Sequence, residues 1–233
     1  MVTEEVPQYQ RDRFAKDGAQ VVLVEDVPLK WWTRTRVTEW KDHFTKLRLL
    51  EMMQYDRILY IDAVALLTRR IDGIFDEPMV RHPAETKFDR LPQIRGDEAP
   101  LPANYMFAAR SDNGLAGKMK HPFPPSKTKA FNAGFWVVAP SEELFRYLMS
   151  VMEHLLRFDL HEMEQSLLNY ALRREGAMPW AELDYRWNAD YVNMKDYEGG
   201  VVALHEKLWK TGPDHLKDLW KSWKMRKEEH YNS

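Results

Sequence analysis

The sequence predicts an α/β fold in which a mixed, mostly parallel sheet is flanked by helices. Short runs of β-branched and aromatic residues at 19–24, 57–62 and 131–138 are typical of buried strands. Between them, apolar residues recur at helical spacing, as in Phe44 and Leu47. Because such strands and amphipathic helices alternate along the chain, βαβ units are expected.

Each helix and strand has its own local signal. Asp17-Gly18 ends a first helix near Lys16, and the apolar face at 44–53 leads into the strand that ends at Asp62. Ser141 followed by two glutamates is typical of a helix start. The remaining predicted elements are helices at 142–157, 163–174 and 214–230 and a strand at 199–204.

Two stretches, 76–102 and 111–130, are rich in proline and charge and show little periodicity. They predict long loops. Loops of this length in a compact domain either cover a substrate or form irregular surface, and the sequence leaves both interpretations open.

Composition limits the domain organisation and the class of function. The 233 residues, 44% of them hydrophobic, suffice for one substantial core, so a single domain over 1–233 is expected, with the sheet and any site in 1–210. A net charge of -2 gives no footprint for nucleic acid or an anionic membrane, so a small molecule or a protein is the expected partner. The absence of cysteine excludes disulfides and thiolate chemistry and fits a reducing, cytoplasmic location. No run approaches the roughly 18 apolar residues of a spanning helix.

Asp62 stands at the carboxyl end of a predicted strand. In open α/β sheets, ligands bind beyond this end of the strands. Taken alone, Asp62 is more simply interpreted as an acid that caps a loop, so its significance depends on the surrounding motif.

Four segments carry a further pattern. They are TKLRLLE at 45–51 with YDRILYIDA at 55–63 and IDGIFD at 71–76, then FNAG at 131–134, EQSLLN at 164–169 and HEKLW at 205–209. In this order they resemble glycosyltransferase family 8, the glycogenin and galactinol synthase group. The resemblance covers most of the chain from about Val2 to Trp209 and implies the Rossmann-like nucleotide-diphospho-sugar transferase fold, GT-A.

The resemblance implies a divalent cation, Mn²⁺ or Mg²⁺, held by a D-x-D motif and a later histidine. Asp62 and His205 match these metal ligands, whereas Val64 stands where the family has its second aspartate. Because one ligand and one negative charge are missing, the affinity for the metal is expected to be lower by roughly tens-fold or more. Without the resemblance, His205 is equally well interpreted as a hydrogen-bonded buried imidazole.

The resemblance also implies residues that bind the UDP-sugar donor. Lys207 matches the lysine at the pyrophosphate, and Lys46 the lysine that reaches the donor sugar or phosphate. Asn132, Ala133 and Gly134 match the sugar pocket. Two of these residues have a simpler alternative: Lys207 as a solvated surface lysine, and Gly134 as a strand bulge.

Glu164 and Gln165 match the family's Asp-Gln pair beside the anomeric carbon. Glutamate keeps the carboxylate but moves it by about one methylene. The family retains anomeric configuration, by a covalent intermediate or by same-face attack. Glu164 is therefore expected to stabilise the oxocarbenium charge or to act as nucleophile.

The predicted function is a retaining, metal-dependent transfer of a hexose from a UDP-sugar to a hydroxyl acceptor. The alternative is an inactive relative that binds a sugar, a nucleotide or a protein. The resemblance begins inside the family's second strand, so roughly fifty family residues, with the base-binding loop and a central strand, have no counterpart and the fold is expected to be N-terminally truncated. An exposed sheet edge would then allow homo-oligomers.

Overall fold

The computed structural model of the chain describes residues 1–30, 32 and 38–232. Residues 31, 33–37 and 233, which the predicted domain includes, lie outside the described residues. The strands are β1 Ile58–Ile61, β2 Ala65–Leu67, β3 Ala84–Glu85, β4 Asn104–Tyr105, β5 Phe107–Ser111, β6 Phe131–Val138, β7 Ala181–Glu182, β8 Asn188–Asp190 and β9 Ala203–His205.

Helices lie between and after these strands. The α-helices are α1 Gln8–Lys16, α2 Pro78–Arg81, α3 Glu142–Met152, α4 Met163–Ala171, α5 Met194–Glu198 and α6 Asp214–Asn232. Short 3₁₀ segments occur at Asp72–Asp76, Leu91–Gln93 and Lys118–Lys120, and a longer one at Thr38–Glu51. Among the described helices, none has the length and apolarity needed to cross a bilayer.

The α/β class and the mixed sheet predicted from the sequence are confirmed. One sheet has the strand order β1-β6-β5-β7 and a second has the order β2-β9-β8. Antiparallel pairs join β1 to β6, β6 to β5 and β2 to β9, whereas β5–β7 and β8–β9 are parallel. The described ladders are thus less parallel than expected, because a buried apolar run gives no information on the direction in which a strand runs.

Four predicted elements need correction, and one of them, the helix expected at 163–174, ends at Ala171. The run at 19–24 forms no strand in the structure: Leu23 makes an isolated parallel bridge with Val2, and its side chain is half exposed. A β-branched run without a neighbouring strand of comparable length has no ladder to join. The helix expected to reach Arg157 ends at Met152, and the strand expected at 199–204 starts at Ala203 because Gly200, at φ 80°, turns the chain after α5.

The first sheet is buried on both faces. On one face the Thr38–Glu51 segment, α3 and α4 pack against it; on the other lies a second apolar cluster. Phe44, Leu47 and Leu50 are buried, as their spacing predicted, whereas Met53 is exposed. Each fully buried side chain of this size contributes about 1.5–3 kcal/mol. The sheet therefore forms a rigid support for the groups at its edge.

The chain passes from one sheet to the other at Asp62. The amide of Asp62 donates to the carbonyl of Gly134 at 2.8 Å, which continues the β1–β6 ladder. Three residues later Ala65 pairs with His205 in the second sheet. This seam, residues 62–65, therefore brings the ends of β1 and β9 and the start of β6 together.

Candidate functional site

Asp62 and His205 meet at the seam. Nε2 of His205 lies 3.4 Å from Oδ2 of Asp62. They approach over Gly134, where an added Cβ would lie 2.0 Å from Cε1 of His205 and 2.7 Å from Oδ2 of Asp62. The register of β5 and β6 also shifts between Ala109 and Ser111, opposite this part of β6. Gly134 therefore lies at a strand irregularity, and two protein side chains, those of His205 and Asp62, approach its backbone closely.

Asp62 is held in its ionised form. Burial opposes this, but the hydrogen bond with His205, the charge of Lys46 and a hydrogen bond from Tyr60 together hold the pKa of Asp62 well below its usual range. The hydroxyl of Tyr60 donates to Oδ1, and Nζ of Lys46 lies 3.6 Å from the same oxygen. Burial and the charge of Asp62 raise the pKa of Tyr60, so this hydroxyl keeps its proton. The cavity thus holds a fixed negative charge at the seam.

A second carboxylate, Glu164, lies on α4 and is held by Lys46. Nζ of Lys46 donates to Oε1 of Glu164 at 2.8 Å and to the carbonyl of Ala133 at 3.3 Å. Nδ1 of His43 lies 3.4 Å from Oε2, an oxygen that accepts no hydrogen bond of normal geometry from the described residues. Burial opposes ionisation of Glu164, but His43 and Lys46 lower its pKa. The interaction with Glu164 in turn raises the pKa of His43.

Asn132 and Gln165 arrange the backbone of β6. The side-chain oxygen Oδ1 of Asn132 accepts from the backbone amide of Gly134 at 2.9 Å. Oε1 of Gln165 accepts from the amide of Ala133 at 2.8 Å, and Nε2 donates to Glu162 at 3.2 Å. Both ends of the Gln165 amide are therefore engaged, and the contacts of Gln165 fasten α4 to β6.

All the residues predicted from the resemblance line one open cavity of about 840 Å³. This volume is in the range of small-molecule sites. Lys207 lies exposed at the rim, whereas Lys46 and Glu164 are buried. The predicted residues that line the cavity are Lys46, Asp62, Asn132, Ala133, Gly134, Glu164, Gln165, His205 and Lys207, together with Val64. The roles assigned to them stay predictions.

Sequence reasoning missed several lining residues. His43 stands three residues before Lys46, and Tyr60 two residues before Asp62, spacings that place each pair on one face of a helix or a strand. These spacings could have identified both. The segment 1–6, which also lines the cavity, carries no signal of this kind.

A divalent cation fits between Asp62 and His205 only as a two-ligand site. Two ligands on adjacent positions of one small cation lie about 3 Å apart, which is close to the 3.4 Å between Oδ2 and Nε2. Within residues 1–30, 32 and 38–232, no group of three or more histidine or acidic side chains has the spacing for a metal. Val64 lines the cavity where a third ligand was expected. The donor chemistry fits, but the set is incomplete.

No family model matches the chain. Two uncharacterized proteins of Schizosaccharomyces pombe, C5H10.12c and C4C3.09, are 28% and 26% identical over 92% and 90% of the chain. The chain spans 64% and 61% of the lengths of these relatives.

Two solved glycosyltransferase structures are similar at 15% identity. The apo structure of the bifunctional WbbM gives a TM-score of 0.45 over 77% of this chain and 34% of WbbM. An active-site mutant of LgtC gives 0.44 over 93% of this chain and 82% of LgtC. At this level the match is a likeness of the backbone and carries no inference about the reaction.

Proposed function

We propose that the chain is a retaining glycosyltransferase of the GT-A kind, which moves a hexose from a UDP-sugar to a hydroxyl acceptor with a divalent metal, Mn²⁺ or Mg²⁺. The observation that carries the proposal is the convergence of Asp62 and His205, 3.4 Å apart, in one cavity with Lys46 and Glu164. The same cavity holds two ionised carboxylates and a buried lysine, groups that would pair with a ligand that has both an anionic and a polyhydroxylated part.

In this proposal the end of the cavity at Asp62, His205 and Lys207 receives the diphosphate. Departure of UDP leaves concentrated negative charge on the β-phosphate, so positive groups at that position lower the barrier. Lys207 at the rim provides a point charge. A cation at Asp62 and His205 would supply further charge stabilisation as a Lewis acid.

The end of the cavity at Glu164 receives the hexose. Interactions with His43 and Lys46 lower the pKa of Glu164, so its carboxylate is ionised and would either stabilise the oxocarbenium charge or attack the anomeric carbon. Lys46 fixes the position of this carboxylate through Oε1. The side-chain oxygen of Asn132 already accepts a hydrogen bond from the amide of Gly134. The side-chain NH₂ group of Asn132 is therefore the part that would donate to a sugar hydroxyl.

A second candidate is an inactive relative that binds a sugar, a nucleotide or a protein partner. Val64 favours it, since this residue removes a ligand from the metal motif. The same cavity would then bind the ligand without turnover.

Release of UDP from UDP-glucose and UDP-galactose in the presence of Mn²⁺ distinguishes the two candidates. The glycosyltransferase proposal expects release by the native chain and little by the Glu164→Ala variant. UDP binding by calorimetry, with no release above that variant, would favour the second candidate.

A further inference from the structure

We infer that His43 is a positioning residue that makes the reactivity of Glu164 depend on pH: the imidazolium restrains the carboxylate, and loss of the proton to water releases it. The inference rests on the proposed function and adds a regulation to the same site. It is carried by the position of His43 in the cavity, by the charges around its ring and by the charge that develops during hexose transfer.

His43 lies between the solvent and a buried carboxylate. It lines the cavity, and its side chain is 52% exposed, whereas that of Glu164 is 6% exposed. Nδ1 of His43 lies 3.4 Å from Oε2 of Glu164. Because the ring is in contact with water, it exchanges its proton with the solvent, and the change of charge takes place beside the shielded carboxylate. The pH of the solvent therefore acts on Glu164 through His43.

Lys46 and His43 approach different oxygens of Glu164. Both belong to the 3₁₀ segment Thr38–Glu51, in which residues three positions apart lie on the same side of the helix. Nζ of Lys46 donates to Oε1 at 2.8 Å, and Nδ1 of His43 faces Oε2. The protonated imidazole therefore gives Glu164 a second cation, and the neutral imidazole leaves it with Lys46. The surroundings of Glu164 thus have two states that differ by one proton.

Several charged groups act on the ring of His43. The interaction with Glu164 raises the pKa of His43, whereas burial and the charge of Lys46 lower it. The charge of Asp62 raises it to a smaller extent. The cavity lining also contains other titratable side chains, those of Tyr60, His161, Glu162, His205 and Lys207. The net effect is a pKa above 6.5, so the imidazolium persists above this pH and is lost as the pH rises through the folded pKa.

The charge of His43 affects transfer because positive charge develops beside Glu164. As the bond between the anomeric carbon and the oxygen of UDP breaks, its electron pair leaves with UDP and the carbon becomes positive. The hydroxyl oxygen of the acceptor finally bonds to this carbon and releases its proton to UDP or water, so the proton of His43 is not transferred. An imidazolium offsets part of the charge of Glu164 and repels the developing positive charge. Turnover is therefore slower with His43 protonated.

His43→Gln and His43→Lys form a matched pair, one neutral and one positively charged. In the native chain, kcat for UDP release should rise about tenfold as the pH rises above 6.5 and through the folded pKa of His43. The glutamine variant should lose this rise and exceed the native kcat about tenfold below pH 6.5. The lysine variant should keep the low kcat above it. Steady-state assays over this pH range, with KM determined separately, measure all three.

Nuclear magnetic resonance titration of the His43 ring, assigned by its absence from His43→Gln, gives a readout that needs no turnover. The pKa of His43 should fall in the Glu164→Gln variant, because the interaction that raises it is lost. A pKa that is the same in this variant would overturn the inference and leave the proposed function standing. Coincident pH profiles of the native chain and His43→Gln, with UDP released, would do the same. No UDP release at any pH would overturn the proposed function and the inference with it.

Discussion

Glu98 and Glu164 are both buried carboxylates beside a cation, yet their surroundings differ. The side chain of Glu98 is 2% exposed and that of Glu164 is 6% exposed. Oε2 of Glu98 accepts from Tyr147 at 3.0 Å, and Oε1 accepts from Tyr170 at 2.7 Å and Arg157 at 2.8 Å. Glu164 has one such donor, Lys46, and its second oxygen is not hydrogen-bonded by the described residues.

The difference separates a structural acid from an acid available for chemistry. Glu98 lies in the long loop before β4, and its three partners belong to α3, to α4 and to the segment between them. It fastens that loop to the helical layer, and both of its carboxylate oxygens accept hydrogen bonds. Glu164 lines the cavity; Lys46 donates a hydrogen bond to one of its oxygens, and Nδ1 of His43 lies 3.4 Å from the other. Burial alone does not distinguish the two residues; the completeness of hydrogen bonding does.

The largest expected effect is the difference in turnover rate between two variants, in which either Glu164 or Glu98 is replaced by the uncharged glutamine. Glu164→Gln should lower the rate of UDP-sugar turnover about 10³-fold, because the charge beside the reacting carbon is lost. Glu98→Gln should change this rate less than about threefold, because Glu98 is not one of the residues that line the cavity. Steady-state assays of UDP release measure both, and equal losses would contradict the distinction.

The free energy of unfolding should rank the two acids in the opposite order, with the larger loss on removal of Glu98. Glu98→Ala should lower the free energy of unfolding by about 3 kcal/mol, because Tyr147, Tyr170 and Arg157 lose their shared partner. Glu164→Ala should cost about 1 kcal/mol, since Lys46 keeps Asp62 and the carbonyl of Ala133 as partners. Urea denaturation measures both values. A larger loss for Glu164→Ala would show that Glu164 is the structural acid.

Adding a methyl group at Gly134 should disturb the seam alone. The new Cβ would collide with His205 and Asp62, so UDP affinity in the presence of Mn²⁺ should fall about tenfold or more. Gly96→Ala is the matched control, because nothing lies within 4 Å of a Cβ there, in the loop of Glu98. Calorimetric titration tests this pair. Unchanged affinity in Gly134→Ala would contradict the assigned geometry.

The smallest expected effect is the pH dependence of the stability that the His43–Glu164 pair adds to the fold. Interaction with Glu164 raises the pKa of His43 above 6.5 in the folded chain, so the stability that this pair adds is fully present below 6.5 and is lost as pH rises through the folded pKa. His43 is about half exposed, so the contribution is below about 1 kcal/mol. The difference in unfolding free energy between the native chain and His43→Gln should therefore shrink as the pH rises above 6.5 and through the folded pKa of His43. A difference that is constant with pH would exclude the pair.

Local patterns predicted the parts of the fold that depend on local physics. The run at 131–138 forms β6 over the same residues, and Ser141 caps α3 by accepting from the amide of Leu144 at 3.1 Å. The direction of the strands and the seam at 62–65 depend on contacts between distant residues, which periodicity does not record.

The sequence motifs identified residues that line one cavity in the structure. Which acidic and basic side chains pair with each other inside that cavity was not predictable from the motifs. The pairing of Lys46 with Glu164 spans 118 positions of sequence. The role of Glu98 was equally hidden, because its loop has no periodicity and its partners come from other segments.

The most direct test is a crystal structure of the chain with UDP-glucose and Mn²⁺. The account predicts the diphosphate against Asp62, His205 and Lys207, with the anomeric carbon of the hexose facing the carboxylate of Glu164. A nucleotide bound outside this cavity, or a hexose that points away from Glu164, would contradict it.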